Sequence, residues 1–355
     1  MKLVSILKKM VIAKRMIDGV RRNSKKISSN AVLSKKQRQS VRQYYKGLVH
    51  VNIPLDWHEY FYKRTDLFSV KYVPTSLYYT ELIGRFNQFP MNEAYSDKNI
   101  SDLILSGFPF PQIIVKNMNG YFYSGNKPIS RAEAIEICSD LSEVIIKPSL
   151  KSHGDGVKKF STVKGLVQPE NISIENLFDE YGANFLIQKV IHQHERMNVL
   201  NPTSVNTIRV LTYRSGMDIL VLYAVIRIGK MNASVDNESA GGISTSISPE
   251  GELSKYAYGA PGDDKIERTD TGILLEGYKI PSYDKVLELV KNAHMYLPHF
   301  NLIGWDVAIQ EDGSPILIEF NTWPELSQSA NGPAFGDYTE LVFKEIWKKP
   351  NTRFQ

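Results

Sequence analysis

The feature that most restricts how this chain can fold is a pair of apolar runs joined by a short polar segment. Residues 303–310 and 316–321 are mainly aliphatic, and the dipeptide Asp312-Gly313 lies between them. An Asp-Gly pair between two apolar runs is typical of a β-hairpin, because these residues adopt the backbone conformations that a tight turn requires. The sequence therefore predicts two antiparallel strands joined by a loop of residues 311–314.

This hairpin is expected to bring oxygen-bearing side chains together. Across the predicted loop, Gln310 pairs with Pro315, and the same register places Asp306 opposite Glu319. Directly opposed residues have Cβ atoms about 4.5–5.5 Å apart, so both carboxylates project from one face. Strand alternation places Asn321 on that face too. The three oxygen donors predict a site for Mg²⁺ and a polyphosphate, and the alternative is that both acids are ordinary solvent-facing residues.

The rest of the chain alternates short predicted strands and helices. Strand-like runs at residues 144–147, 185–189, 207–213 and 219–228 are joined by turns or by helical segments such as residues 284–297. Because hairpins dominate, the pattern favours an α+β fold over a doubly wound parallel sheet. A chain of 355 residues with 42% hydrophobic residues is expected to form two or three packed units.

Composition also restricts where such a protein works. Cys138 is the single cysteine, so no intramolecular disulfide can form, and the cytoplasm is the expected compartment. No run approaches the roughly 20 apolar residues of a membrane span, so neither export nor a transmembrane anchor is expected.

Basic residues are concentrated at the start of the sequence. Residues 1–50 hold 14 lysines and arginines against the single acid Asp18, whereas the remainder is acidic. Apolar residues recur at helical spacing among these cations. They are Leu3, Ile6, Leu7, Met10, Ala13, Ile17 and Val20. The pattern predicts a basic amphipathic helix that either lies on an anionic membrane surface through residues 1–22 or packs on its own domain, and no nucleic-acid-binding domain is expected.

A lysine and a small-residue loop follow the strand at residues 144–147. Lys147 ends this strand before a proline, and the next loop contains Ser152, Gly154 and Gly156. An ammonium group and the backbone N–H groups of a flexible loop suit phosphate oxygens. The pattern predicts a phosphate clamp, and the alternative is a surface lysine before a proline turn.

Two arginines occupy similar places on the next pair of strands. Alternation leaves Arg209 and Arg227 on the faces opposite an aliphatic set. That set is Ile208, Val210, Leu220, Leu222, Ala224, Ile226 and Ile228. The two guanidinium groups are therefore expected to share one cleft, where they suit carboxylate or phosphate oxygens. The alternative is a pair of arginines on a solvated sheet face.

The hairpin resembles the end of the ATP-grasp fold, in which an Asp on one strand and a Glu-x-Asn on the next hold the metals that bridge the nucleotide phosphates. The resemblance implies that Asp306, Glu319 and Asn321 bind Mg²⁺, with Mn²⁺ as an alternative. It implies that Lys147 and the following loop bind the phosphates of ATP, and that residues 185–191 form the hinge that recognises adenine. The residues that it assigns to ATP outside this loop are Lys116, Gln188, Lys189, Ile191 and Glu195.

A more specific resemblance involves the arginine strands. They resemble the D-x-R strands of the alpha-L-glutamate-ligase-like branch, although Asn206 replaces the acid, and residues 236–243 resemble its N-x-x-x-G-G loop. With residues 96–99, the sequence is most similar to the sugar-transfer-associated ATP-grasp family, over residues 50–345. This implies catalytic roles for two arginines and substrate contacts for three loop residues. They are Arg209 and Arg227, and Asn237, Gly241 and Gly242.

The resemblance implies two α+β subdomains that grip ATP. Residues 1–50 are expected to form the basic helical segment, residues 51–125 a small N-terminal mixed α/β unit, and residues 126–350 the ATP-grasp domain. Within that domain, residues 126–205 clamp the nucleotide and residues 206–350 carry the metal and the substrate.

The implied activity is an ADP-forming ligase that activates a carboxylate as an acyl phosphate. The implied partners are ATP, a carboxylated sugar or glycan, and an amino acid or amine, in the biosynthesis of a surface polysaccharide such as a capsule. Such an enzyme is expected in the cytoplasm, at the inner face of the membrane if the basic helix binds lipid. A phosphotransferase and a non-catalytic glycan-assembly scaffold remain alternatives.

Overall fold

The structure, a computed structural model, describes residues 2–49, 51–151, 154–231, 241–263 and 265–354. Two antiparallel sheets of eight and five strands are accompanied by helices, which is the α+β class expected from the sequence. In these ranges, no helix combines the length and the apolar character needed to cross a membrane.

The N-terminal part of the chain is a helical layer. Its α-helices are α1 (Lys2–Ser24), α2 (Lys35–Lys46), α3 (Asp56–Thr65), α4 (Thr75–Leu77), α5 (Ile83–Phe86), α6 (Phe89–Tyr95) and α7 (Ser101–Ile104), with a π-helical turn at Tyr78–Leu82 and a 3-10 turn at Lys98–Ile100. Ser34 and Gln37 form a capping box that begins α2. Helix α1 packs against α3, and Val20 shares a small core with Tyr60 and Phe61.

The larger sheet follows this layer. Its strands are β1 (Ile113–Met118), β2 (Tyr121–Ser124), β3 (Lys127–Ile129), β4 (Val144–Pro148), β5 (Lys158–Val163), β6 (Leu166–Gln168), β7 (Ile172–Ser173) and β8 (Phe185–Lys189), in the spatial order β3-β2-β1-β8-β4-β5-β6-β7. Helices α8 (Arg131–Ile137) and α9 (Ile174–Tyr181) pack on it. Its core includes Val115, Ile146, Phe178 and Phe185.

The smaller sheet contains the rest of the strands. After α10 (Glu195–Asn198) come β9 (Thr207–Ser215), β10 (Asp218–Ile228), β11 (Ile243–Ile247), α11 (Tyr283–Met295), β12 (Leu302–Ile309), β13 (Pro315–Asn321), α12 (Gln328–Asn331) and α13 (Thr339–Ile346), with 3-10 turns at Gly336–Tyr338 and Thr352–Phe354. The strand order is β11-β10-β9-β12-β13. Val210 and Trp305 pack with α11 in one core. Tyr213 and Tyr223 pack with residues of α2 and α13 in another, so the sheet is covered on both faces.

The aliphatic residues predicted to share one face of β10 are divided between its two faces. A β-bulge between Val221 and Tyr223 shifts the phase of β10. Leu220 and Leu222 therefore pack against the core that contains Tyr213, whereas Ile226 packs with α11. A bulge of this kind reverses which face a residue occupies, and strict alternation cannot anticipate it.

The separate N-terminal α/β unit predicted over residues 51–125 is not observed, because its strands belong to the larger sheet. Residues 56–104 form helices and turns, and the strand-like run after Pro111 becomes β1, which pairs with β8 of the larger sheet. The predicted boundary at residue 125 therefore falls inside that sheet. The reason is that β8 lies about 70 positions further along the chain, and local sequence patterns do not identify a distant strand partner.

Candidate active site

The hairpin of β12 and β13 carries the three predicted metal ligands on one face. Asp306 lies opposite Glu319, and Asn321 lies opposite Gly304. The Nδ2 atom of Asn321 is 3.4 Å from Asp306 Oδ2 and 3.3 Å from Glu319 Oε1. The structure therefore brings these three side chains together.

The strands reach this pairing by a different register from the predicted one. Next to the turn, Ile309 pairs with Pro315, whereas the prediction pairs Gln310 with Pro315. A β-bulge beside Asp306 then shifts the register by one residue, which restores the predicted pairing with Glu319.

Two arginines surround Asp306. Arg209 lies directly opposite it on β9, and Nε and Nη2 of Arg209 donate hydrogen bonds to the two carboxylate oxygens at 2.5 and 2.7 Å. Arg227 Nη1 lies 3.7 Å from Asp306 Oδ1. Burial alone would raise the pKa of Asp306, but the two arginines outweigh burial and lower this pKa to about 2. Asp306 is therefore ionised, and its charge holds both guanidinium groups in one cleft.

Lys147 brings a cation from the larger sheet into this cleft. Its side chain is buried. Burial lowers the pKa of its ammonium to about 8, an effect that the Glu319 carboxylate opposes and that the like charge of Lys98 reinforces. The Glu319 carboxylate of the smaller sheet therefore favours the charged form of Lys147 in the larger sheet.

The loop after β4 adopts a conformation that requires glycine. Gly154 and Gly156 have φ angles of 71° and 74°, in the left-handed region that glycine enters without steric cost. A Cβ atom on Gly156 would lie 2.8 Å from Cγ of Pro148. Ser152, predicted to bind phosphate in this loop, lies outside the described residues.

Lys98 lies in the same cleft, although the sequence assigns it no role. Its Nζ is 3.6 Å from Glu319 Oε2 and donates a hydrogen bond to the carbonyl of Lys151 at 2.6 Å. The only signal in the sequence is its place in the run of residues 96–99. Local patterns could not locate Lys98, because its partner Glu319 is more than 200 positions away.

A cavity of about 480 Å³ lies between the segment after β8 and the turn of the β12–β13 hairpin. Lys189 and Ile191, the predicted adenine contacts, line it together with Phe110, Ile316 and Glu311. This volume falls within the range of small-molecule sites, and apolar walls with a few polar residues are typical of them.

Three further residues predicted to bind ATP, Gln188, Glu195 and Lys116, do not line this cavity. Gln188 is buried in β8, between Ile113 and Ile145 of the neighbouring strands. Glu195 is exposed at the start of α10. Lys116 is buried, and its ammonium donates hydrogen bonds to both carboxylate oxygens of Asp102 at 2.6 and 2.8 Å.

Two glycines of the predicted substrate loop lie next to β11, the strand that pairs with β10. Gly241 and Gly242 precede β11, in which Ser244 pairs with Arg227 and Ile243 pairs with Ile228. Asn237 lies outside the described residues. The two glycines are therefore close in the fold to the second arginine of the cleft.

Sequence comparison decides the family. A family profile described as sugar-transfer associated ATP-grasp matches residues 78–340, which include both sheets and the whole cleft. The chain belongs to this ATP-grasp family. No curated protein matches the sequence significantly.

Solved structures resemble this ATP-grasp protein at low identity. The ATP-grasp ligase PsnB, solved with a minimal precursor, Mg and ADP, is 13% identical with a TM-score of 0.41, over 73% of this chain and 62% of PsnB. D-alanine–D-alanine ligase from Bacillus anthracis is 16% identical with a TM-score of 0.39, over 72% and 65% of the two chains. The biotin carboxylase domain of Hydrogenobacter thermophilus 2-oxoglutarate carboxylase is 14% identical with a TM-score of 0.44, over 73% and 48%. This chain therefore spans less than two thirds of each of these proteins.

The residues of this ATP-grasp protein fit a magnesium ion. Mg²⁺ is bound through one or two carboxylates, with waters and substrate phosphates completing its coordination. Glu319 is 28% exposed, and the amide of Asn321 lies between it and Asp306. Among the described residues, no three His, Cys, Asp or Glu side chains form a metal-binding group. Protein ligands to Mg²⁺ would therefore be two carboxylates and one amide, with Asp306 shared with Arg209.

Proposed function

We propose that this chain is an ATP- and Mg²⁺-dependent ligase that activates a carboxylate as an acyl phosphate. The observation that carries the proposal is the convergence of Asp306, Glu319 and Asn321 with Arg209 and Arg227 in one cleft. Membership of the ATP-grasp family supports the same activity.

In this proposal the protein supplies charge and position. Lys147 binds the phosphates of ATP, and Glu319, Asn321 and Asp306 hold Mg²⁺, which offsets phosphate charge when bound. Arg209 is fixed by its two hydrogen bonds to Asp306. Arg227 is less tightly engaged at 3.7 Å, so it is the arginine that can turn toward the transferring phosphoryl group or the acid substrate.

The proposed reaction has two steps. The γ-phosphoryl group passes from ATP to a carboxylate oxygen of the acid substrate, which gives ADP and an acyl phosphate. The nitrogen of an amine then attacks the acyl carbon and expels phosphate, so that an amide forms after the nitrogen loses a proton. Positioning of the reactants accounts for much of the acceleration, and no protein nucleophile is needed.

For the substrates we propose a carboxylated sugar or glycan as the acid and an amino acid or amine as the nucleophile. The description of the family as sugar-transfer associated supports this choice. In this proposal Gly241 and Gly242, which precede the strand that pairs with β10, contact the acid. This chemistry belongs to polysaccharide biosynthesis in the cytoplasm. The rival activities are phosphorylation of the acceptor and a scaffold role without catalysis.

A substrate screen tests the ligase. Purified protein with Mg·ATP is incubated with uronic acids and amines, singly and in pairs, and ADP release is followed by mass analysis of the products. ADP that appears only with an acid and an amine together, with an amide product, supports the ligase. A phosphorylated product identifies a phosphotransferase, and a protein that neither binds nor turns over ATP is a scaffold.

The hairpin itself is tested by Glu319→Gln. Loss of this charge weakens Mg²⁺ binding while the shape of the side chain is nearly kept, so ATP turnover should fall by about 100-fold or more. The matched control is Glu250→Gln, which changes an exposed acid on the turn after β11. Turnover by Glu319→Gln at the wild-type rate across a magnesium titration would show that the hairpin is not the metal site.

We also propose that α1 binds the surface of an anionic membrane. One side of α1 packs on the body, where Val20 is buried and Lys9 pairs with Glu81 at 2.9 Å. The opposite side, the outer face, carries exposed apolar residues. They are Val4, Leu7 and Val11, each more than half exposed.

Cations accompany these apolar residues on the outer face. Lys8, Lys14, Arg15 and Arg22 are exposed there. A helix whose only role is to pack on its own domain keeps its apolar residues on the inner side. Exposed apolar and basic residues on one helical face fit the interface of an anionic bilayer.

Vesicle sedimentation tests this surface. Wild-type protein should bind vesicles that contain phosphatidylglycerol, bind neutral phosphatidylcholine vesicles weakly, and release as salt is raised. The double variant Leu7→Glu/Val11→Glu should lose this binding. Met217→Glu, which changes an exposed apolar residue in the turn between β9 and β10, should bind vesicles like the wild type. Equal binding by the double variant and the wild type would contradict the proposal.

A further inference from the structure

A second cavity, of about 390 Å³, lies on the larger sheet between the turn that joins β1 to β2 and helices α8 and α9. It shares no lining residue with the hairpin cleft or with the cavity after β8. Its volume falls within the range of small-molecule sites. The proposed ligase reaction does not use this cavity, and the residues that line it indicate what it binds.

Part of the lining is aromatic. Phe122 and Phe178 are buried, and their rings stack with centroids 5.2 Å apart. Beside them Tyr121 is 69% exposed, and Ile129 is partly exposed. An exposed ring next to buried apolar side chains gives a flat surface for a ligand that has an apolar face.

A buried amide in the lining has donors that no protein group uses. Asn117 is 1% exposed, and its Oδ1 accepts hydrogen bonds from the N–H groups of Gly120 at 3.0 Å and Asn184 at 3.2 Å. In the part of the chain that the structure describes, Nδ2 of Asn117 donates to no group. Buried polar groups are nearly always paired, so this amide points to an acceptor oxygen on a ligand in the cavity.

The charges of the lining cancel. It contains one cation and one anion, and Nη2 of Arg131 donates to Oδ1 of Asp179 at 2.6 Å. An anionic ligand would meet the carboxylate and a cationic ligand the guanidinium group, so a neutral ligand is favoured. The remaining N–H groups of Arg131 and the second oxygen of Asp179 suit a hydroxyl group, which both donates and accepts hydrogen bonds.

We propose that this cavity binds a neutral sugar unit of a glycan. The C–H groups of a pyranose ring form apolar faces, and hydroxyl groups surround them, which matches an aromatic wall bordered by an amide and an ion pair. The sugar stacks on Tyr121, accepts a hydrogen bond from Asn117, and exchanges hydrogen bonds with Arg131 and Asp179. This inference concerns a second site and does not depend on the proposed ligase reaction.

An array of neutral glycans with different terminal sugars, followed by calorimetric titration of the strongest binder, tests the proposal in the absence of ATP and Mg²⁺. Tyr121→Ala removes the stacking surface, and Asp179→Ala removes the acceptor of a hydroxyl group. The matched control is Tyr296→Ala, which removes a 63% exposed ring at the end of α11. Thermal unfolding without ligand accompanies each titration.

We expect Tyr121→Ala and Asp179→Ala each to bind the glycan about 10-fold more weakly. Tyr296→Ala should bind it like the wild type, and all three variants should unfold at the wild-type temperature. The proposal is overturned by a wild-type protein that binds no neutral glycan, or by Tyr121→Ala and Asp179→Ala proteins that both keep the wild-type affinity. Capture of uncharged peptides from a random library, in place of any glycan, would identify a peptide site and also overturn it.

A variant of the cleft separates this inference from the proposed function. Arg227→Ala should bind the neutral glycan like the wild type, and Mg·ADP should not compete with the glycan. If Arg227→Ala loses the glycan and Tyr121→Ala retains it, the sugar lies in the cleft, which contradicts the cavity site and supports a glycan substrate. Glycan binding that depends on Tyr121, in a protein without ligase activity, contradicts the ligase and supports the cavity site.

Discussion

Asp306 and Glu319 lie side by side, but their carboxylates have different neighbours. Spacing alone describes them as two acids that repel each other until a metal arrives. In the structure, Asp306 is bound by Arg209 at 2.5 and 2.7 Å, and Glu319 lies 3.6 Å from Lys98. Asp306 therefore holds an arginine in a buried position, whereas Glu319 is the more accessible of the two proposed metal ligands.

This difference predicts unequal losses of stability. Asp306→Asn leaves the buried Arg209 without a counter-charge, so the free energy of unfolding should fall by about 3–5 kcal/mol. Glu319→Gln changes a partly exposed side chain, and the free energy of unfolding should change by less than about 1 kcal/mol. Urea unfolding of the nucleotide-free variants measures both values. Equal losses in the two variants would contradict the distinction between these acids.

The lowered pKa of Lys147 predicts how nucleotide affinity depends on pH. Bound phosphates favour the charged ammonium, so the pKa of Lys147 should rise on binding. Below pH 8 the ammonium is charged in both states, and affinity for ADP should not change with pH through this group. Above about pH 8 binding takes up a proton, and affinity should fall by up to about tenfold per pH unit.

Calorimetry in buffers of different ionisation enthalpy measures this proton uptake, and Lys147→Arg, whose charge persists, should flatten the profile. The stability of the nucleotide-free protein should change with pH in the opposite direction to its ADP affinity. Because the folded pKa of about 8 lies below the ordinary value of 10.5, the unfolded chain binds more protons between these values. The nucleotide-free protein should therefore gain stability as pH rises through that window. A pH-independent ADP affinity from 7 to 10 would contradict the assignment of Lys147.

Among the elements, the two bulges decide which side chains meet. The bulge beside Asp306 corrects the hairpin register, and the bulge in β10 moves Leu220 and Leu222 to the face opposite their predicted one. Turn chemistry and alternation predict that the strands exist. They do not locate bulges, because a bulge depends on how each strand fits its partners in the sheet.

The loop after β4 provides a prediction at the same scale. Gly156 and Gly165 both have positive φ angles, of 74° and 77°. A Cβ on Gly156 would meet Pro148, whereas nothing lies within 4 Å of one on Gly165. Gly165→Ala should cost about 1–2 kcal/mol of stability through its backbone conformation alone. Gly156→Ala should displace the loop as well and weaken ADP binding, which Gly165→Ala should not. Calorimetric titration of both variants compares them, and identical ADP affinities would contradict this role of the loop.

For the whole molecule, the helical layer is part of the folded body rather than an appendage. The sequence leaves open whether the basic helix packs on its domain or lies on a membrane. In the structure α1 buries Val20 against Tyr60 and Phe61 and leaves its outer face exposed. Removal of residues 1–22 would therefore uncover a core, so point substitutions test the outer face more cleanly than deletion.

Two valines of α1 give the corresponding prediction. Val20 is 2% exposed and Val11 is 67% exposed. Val20→Ala should lower the free energy of unfolding by about 1–3 kcal/mol, because it leaves a cavity between α1 and α3. Val11→Ala should change it by less than about 0.5 kcal/mol. Chemical denaturation of both variants tests this, and a Val20→Ala protein as stable as Val11→Ala would show that α1 is not packed on the body.

The sequence by itself determined the features that depend on neighbouring residues. Alternation and the Asp-Gly turn predicted the hairpin and the shared face of Asp306, Glu319 and Asn321, and helical spacing predicted α1. Only the tertiary structure decided that Arg209 pairs with Asp306 and that Lys98 reaches Glu319. These partners lie roughly 100 and 220 positions apart, and their meeting depends on strand order and on the packing of the helical layer, which no local pattern encodes.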